Sequence, residues 1–155
     1  MSAIPSPTGA CPCGRSDRRD KPIAYALCCG RYLDHFEDTP APDAESLMRS
    51  RYTAFVLERA DYLLATWAPQ RRPSQVSFDA GVKWLGLDVR SRSVLDADHA
   101  EVEFVARQRD TSGVATRLHE RSRFVREGNA EADATASGED RSRWFYVDGD
   151  RLPQG

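Results

Sequence analysis

All four cysteines of this chain lie between residues 11 and 29, as Cys11-Pro12-Cys13-Gly14 and, fourteen residues later, Cys28-Cys29-Gly30. A disulfide framework spreads its cysteines to tie distant segments together, so a cluster of this kind specifies one local site. Four thiolates meet the tetrahedral demand of a zinc ion, with Zn–S distances near ~2.3 Å. The rival, a redox thiol pair, lacks Cys-x-x-Cys spacing, and a bridge between the adjacent Cys28 and Cys29 is strained. Cys11, Cys13, Cys28 and Cys29 are therefore expected to bind Zn²⁺. With every position filled by protein, no site is open for water, so the ion is structural and holds a segment too poor in apolar residues to fold alone. A glycine after each pair is expected to let the backbone turn and aim amides at sulfur. Arg15, Arg18, Arg19, Lys21 and Arg31 outnumber Asp17 and Asp20, a surplus that offsets the negative charge of a tetrathiolate site.

The rest of the 155 residues suit one domain beside that small module. A net charge of −2 does not argue for nucleic acid or acidic membranes. The first ten residues, MSAIPSPTGA, show neither a basic start nor an apolar run, and no stretch reaches the ~20 apolar residues of a spanning helix. Cytoplasm is the expected compartment, where thiols stay reduced and clustered cysteines bind metal.

The organisation read from the chain is a flexible tail over 1–10, a zinc module over 11–38 and an α+β domain over 39–150. The TPAPD stretch at 39–43 reads as a linker, with Asp43 suited to cap a helix. Residues 44–67 read as two helices, because Met48, Tyr52, Phe55 and Val56, then Tyr62, Leu63 and Trp67, recur at three- and four-residue spacing. Beyond Lys83 the chain alternates as strands: Leu85, Leu87 and Val89; Val102, Phe104 and Ala106; Leu118 and Phe124; Trp144 and Tyr146.

Asp110 to Val114 reads as a tight turn with Gly113 in the left-handed position. That turn pairs residues whose numbers sum to 224. One face then carries Val102–Ser122, Phe104–Glu120 and Ala106–Leu118, toward the helices. The other carries Glu101–Arg123, Glu103–Arg121 and Val105–His119, toward water. Residues 127–142 are small, polar and acidic and read as a mobile loop. Helices first and antiparallel strands after them predict a curved sheet wrapped around helices.

The CPCG…CCG pattern resembles the SEC-C motif, the small zinc module found at the C-terminus of the SecA translocase. The segments MRSRYTAF, YLLATW, WLGL, LHERSRF and WFYVDG resemble the uncharacterised bacterial YchJ-like family, which joins a SEC-C module to a nuclear transport factor 2-like domain. The resemblance covers about residues 11–149. It implies zinc at the four cysteines and a cone-shaped α+β fold. The likeness to the SecA module implies docking to a protein or ribosome partner. Two departures stand out: the interval between the cysteine pairs is longer than the motif usually has, and so is the 127–142 loop.

Folds of this class often enclose a pocket between sheet and helices, although fold alone does not give function. The polar candidates are Glu120 and Ser122 on the inward strand face, Arg49, Arg51 and Tyr52 on the first helix, and Trp67 and Tyr146. Glu120 is expected to pair with Arg51 or Arg49, since buried charges are normally paired. The three histidines are scattered and show no ligand spacing. The outward arginines lack interleaved aromatics and face Glu101 and Glu103, which argues against nucleic acid. The expected function is that of a cytosolic zinc-stabilised binding or adaptor protein. The alternative is a small-molecule enzyme or carrier working near Glu120. A homodimer is compatible with either.

Overall fold

The computed structural model describes residues 9–128 and 142–152. A 3₁₀ turn at Tyr25–Leu27 leads into α1 (Gly30–Leu33), α2 (Ala44–Val56) and α3 (Ala60–Ala65), followed by β1 (Lys83–Asp96), β2 (His99–Arg109), β3 (Ala115–Gly128) and β4 (Ser142–Arg151). The strands form one antiparallel sheet in the order β1-β2-β3-β4. The fold class is α+β. No helix among the described residues is long and apolar enough to cross a membrane.

Local chemistry accounts for the boundaries. Asp43 Oδ1 accepts the Ser46 N–H at 2.7 Å, capping α2. The β2–β3 turn closes through Asp110 N–H to the Val114 carbonyl at 3.0 Å, with Gly113 at φ 89°. The β2–β3 ladder runs from His99↔Val125 to Arg109↔Ala115, the register that the turn dictates. Val102, Phe104 and Ala106 are buried on the helix side. Val105 is also buried, although it belongs to the outer face; it lies in a central strand between Asp88 and His119 of its two neighbours.

Three expectations need correction. Leu85 does not share a face with Leu87. Trp84 pairs with Gln108 and Gly86 with Arg107, so a bulge at Leu85 turns that side chain outward and Trp84 inward. Arg123 stands opposite Glu101 in the ladder as expected, but its ion pairs go instead to Asp148 and Asp150, which β4 brings to its guanidinium at 2.5 and 2.7 Å. The tail and loop boundaries also move. Gly9 accepts the Tyr25 N–H and Ala10 bridges Ala24, while Glu127, Gly128 and Ser142 belong to β3 and β4. Residues 1–8 and 129–141, on which the rest of those two expectations falls, lie outside the described residues.

The apolar core is continuous from the cysteine segment to the sheet. Cys11, Cys13, Cys28, Cys29, Tyr25, Tyr32 and Leu33 pack in the same cluster as Leu47, Met48, Tyr52, Leu63, Val102 and Phe104.

Candidate metal centre and cavity

A short hairpin builds the cysteine site. Cys11 N–H donates to Ile23 O and Ile23 N–H to Arg15 O, at 2.9 and 3.2 Å. Its tip is held by Asp17 Oδ1, which accepts the amides of Arg19 and Lys21. The long interval between the cysteine pairs therefore loops out, and its end returns Cys28 and Cys29 to the entrance of α1. All four thiols are free and buried, and their sulfurs lie within 4.8 Å of one another.

A tetrahedron with metal–sulfur bonds of about 2.3 Å has sulfur–sulfur edges of about 3.8 Å. The Cys13 and Cys28 sulfurs are 3.6 Å apart, which fits. The shared protons are distributed unevenly. Hydrogen bonds from Cys13, Cys28 and Cys29 hold Cys11 well below the ordinary thiol range, helped by the Cys13 amide, whereas Cys29 is pushed well above it by Cys11, Cys13 and Cys28. Four crowded sulfurs cannot all carry charge without a cation, and a metal ion held by the four would supply what the set lacks.

The two glycines serve different ends. Gly14, at φ 76°, is the left-handed residue of the first turn, and its N–H donates to the Cys11 carbonyl rather than to sulfur. Gly30 opens α1, and a Cβ there would lie 2.8 Å from the Tyr25 carbonyl oxygen.

Helix α2 carries the module on one side. Arg49 Nη1 donates to the Cys13 carbonyl at 3.1 Å, and Thr53 Oγ1 lies 3.7 Å from Cys11 Sγ. Glu45, its side chain 7% exposed, receives Arg49 at 2.8 Å, Arg15 at 3.6 Å and Arg92 of β1.

The other side of α2 faces the sheet across a cavity of about 400 Å³. Tyr52, Phe55, Phe78, Trp84, Phe104 and Phe124 line its apolar wall. Arg51 is buried at one end, where Nη1 donates to Leu63 O at 2.8 Å and to Thr66 Oγ1 at 2.6 Å. Its guanidinium lies 4.5 Å from the Tyr146 ring centre and 5.2 Å from that of Trp67. Backbone bonds across Ala68–Tyr146 and Tyr146–Thr66 tie the end of α3 to β4 and hold those two rings together. Burial pushes Arg51 down to about 10, still charged at neutral pH. Glu120 is raised by burial, opposed by Arg151 and Arg51. Its carboxylate lies over Gly149, where a Cβ would sit 2.6 Å from Oε1.

Residues 43–149 match the family model for YchJ, middle NTF2-like domain. The chain belongs to the YchJ-like family. Curated relatives of this YchJ-like chain are UPF0225 proteins. One from Polaromonas sp. (strain JS666 / ATCC BAA-500) is 61% identical, with 97% of this chain and 99% of the relative covered. Another, from Bordetella parapertussis, is 52% identical over 97% of this chain and 98% of its own. Two solved structures are similar. The crystal structure of a SEC-C motif containing protein from Psychrobacter arcticus has a TM-score of 0.74 at 28% identity, covering 96% of this chain and 86% of that one. The solution structure of RPA3114, a SEC-C motif containing protein from Rhodopseudomonas palustris, has a TM-score of 0.68 at 31% identity, covering 94% and 100%.

In this YchJ-like chain the cavity gathers Arg51, Tyr52, Trp67, Glu120, Ser122 and Tyr146. Arg49 does not line it. Residues two apart on a helix point about 200° apart, so Arg49 and Arg51 cannot both face the sheet. The expected Glu120 ion pair does not form either. Arg49 is taken by Glu45, and Arg51 is spent on a carbonyl and a hydroxyl. The residues missed from sequence are Glu45, whose four-residue spacing to Arg49 was the available signal, and Phe78 with Trp84, which precede or begin an irregular strand.

Proposed function

We propose that this YchJ-like chain is a zinc-stabilised small-molecule-binding protein of a reducing compartment such as the cytoplasm. Zinc at Cys11, Cys13, Cys28 and Cys29 anchors the N-terminal module on α2, and the opposite side of α2 roofs the binding cavity. The observation that carries this reading is a roughly 400 Å³ cavity with an aromatic wall, into which two ionisable groups, Arg51 and Glu120, enter without pairing with each other. Pockets of this size, mostly apolar with a few placed polar groups, are typical of small-ligand sites.

Two measurements test it. Metal analysis of protein purified without added chelator should find one zinc per chain; an absence of zinc, or a different metal, removes the first half. A fragment screen by NMR should shift the Trp67 and Trp84 indole resonances together. Hits that perturb only surface residues would remove the second half.

One observation favours docking as a second role. Arg18, Arg19 and Lys21 project from the hairpin tip with no ion-pair partner among the described residues, and Leu27, in the 3₁₀ turn that follows the hairpin, is 69% exposed. An acidic partner such as a ribosome suits that tip. Co-sedimentation with ribosomes that survives charge reversal at Arg18 and Arg19 would dismiss it.

A further inference from the structure

Arg51 carries a positive charge at a place where only 6% of the residue remains exposed. Its hydrogen bonds all run through Nη1, to neutral acceptors, and Nε and Nη2 have no partner among the described residues. No carboxylate among the described residues forms an ion pair with it. A desolvated guanidinium is ordinarily matched along its donor edges, because the lost hydration is otherwise uncompensated. The neighbouring Trp67 also has an unmatched donor: its Nε1–H is buried without a hydrogen-bond acceptor among the described residues. Two donors lacking acceptors thus meet at one end of a cavity whose wall is aromatic.

The geometry points to this end as the receiving site for a carboxylate. Nε and Nη2 of Arg51 present the paired donors that a carboxylate accepts side by side. The ligand class is a small organic monocarboxylate with a flat apolar body, its ring lying along Tyr52 and Trp84. Glu120, Glu58 and Asp79 also line the cavity, one more acid than the bases Arg51 and Arg151, so a dianion such as a phosphate monoester is disfavoured more strongly than a monoanion that places its single charge on the Arg51 edge. This inference rests on the cavity being a ligand site, as proposed above.

Calorimetry with 2-naphthoate and its neutral amide, 2-naphthamide, tests it on the full chain. The wild-type protein should bind naphthoate at least roughly tenfold tighter than naphthamide, the ratio expected when one charge-assisted contact distinguishes them. Arg51→Met should abolish that preference while leaving naphthamide affinity in place. Should that variant not fold, Glu120→Gln answers separately, since removing a negative charge from the cavity should tighten naphthoate several-fold and leave naphthamide unmoved. Equal affinity of the wild-type protein for both probes, or a Glu120→Gln protein with an unchanged ratio, overturns the carboxylate site and leaves the cavity reading standing. Failure of both probes to bind the folded wild-type protein overturns the two together.

Discussion

Arg49 reaches back one turn of α2 to Glu45, Nε to Oε2 at 2.8 Å, and the same guanidinium holds the Cys13 carbonyl. The pair stands over the cysteine site rather than over the cavity. Together with Arg15 and Arg92 it ties three parts of the chain, the cysteine hairpin, α2 and β1, to one buried carboxylate.

Glu45→Gln should therefore cost about 2–3 kcal/mol, less than the ~3–5 kcal/mol of a fully buried pair because Arg92 can return to water. The pH dependence follows from the carboxyl group. Burial pushes Glu45 up, but Arg49 and Arg92 more than reverse this and hold it below its ordinary value. Its contribution is complete above the unfolded value of about 4.3 and is lost as the pH falls through the folded one. Denaturant titrations should show the wild-type and Glu45→Gln curves converging in acid. Parallel curves down to pH 3 would refute the linkage.

Cys13→Ser should lose the metal and lower the stability of the whole chain, not of residues 11–31 alone. Cys13 is fully buried, and the cysteines share one apolar cluster with α2 and the sheet. Thermal unfolding should remain a single transition, displaced down by about 10 °C or more, since each kcal/mol moves a chain of this size by roughly 2–4 °C. The same shift should appear when a chelator strips the wild-type protein. Two separate transitions would mean that the module unfolds independently.

Glu120→Gln should stabilise the protein near pH 7, by up to a few degrees in Tm. The folded carboxyl is raised by burial more than Arg151 and Arg51 lower it, and it has no ion pair among the described residues, so its charged form opposes folding. For such a group stability declines as the pH rises from the unfolded value through the folded one. The advantage of the glutamine should accordingly shrink as the pH is lowered to about 4, where both side chains are neutral. A loss of stability at pH 7 would show that Glu120 has a favourable partner after all.

Gly30→Ala should be the more damaging of the two motif glycine changes. The new Cβ meets the Tyr25 ring at 2.8 Å and the Tyr25 carbonyl, which belongs to the backbone and cannot step aside. Overpacking of this kind costs about 1–3 kcal/mol. Gly14→Ala meets nothing within 4 Å and suffers only from its positive φ, at about 1 kcal/mol. Chemical denaturation of the two proteins, side by side, should rank them in that order.

Features set by neighbours in the chain were legible before any coordinates. The four cysteines and their clustering come from positions 11–29, the cap on α2 from Asp43, and the whole β2–β3 register from one turn at 110–114, because a hairpin loop fixes pairing along both strands. The inward set Val102, Phe104, Ala106 and Ser122 follows from the two-residue period of that ladder.

What required the tertiary structure was the choice among partners. From the sequence, Arg49 and Arg51 are two arginines on one helix, and Glu120 is an acid facing them. Only the packed molecule shows that Glu45 and Cys13 O occupy Arg49, that Glu45 also receives Arg15 and Arg92, and that Leu63 O and Thr66 take one nitrogen of Arg51 while Glu120 stays apart. The bulge at Leu85, which sends Trp84 into the cavity wall, likewise breaks the alternation on which a strand is read. The physical reason is range. Caps, turns and strand period act over a few residues, whereas the partner of a buried charge is decided by segments tens of residues away that reach it only once the core has closed.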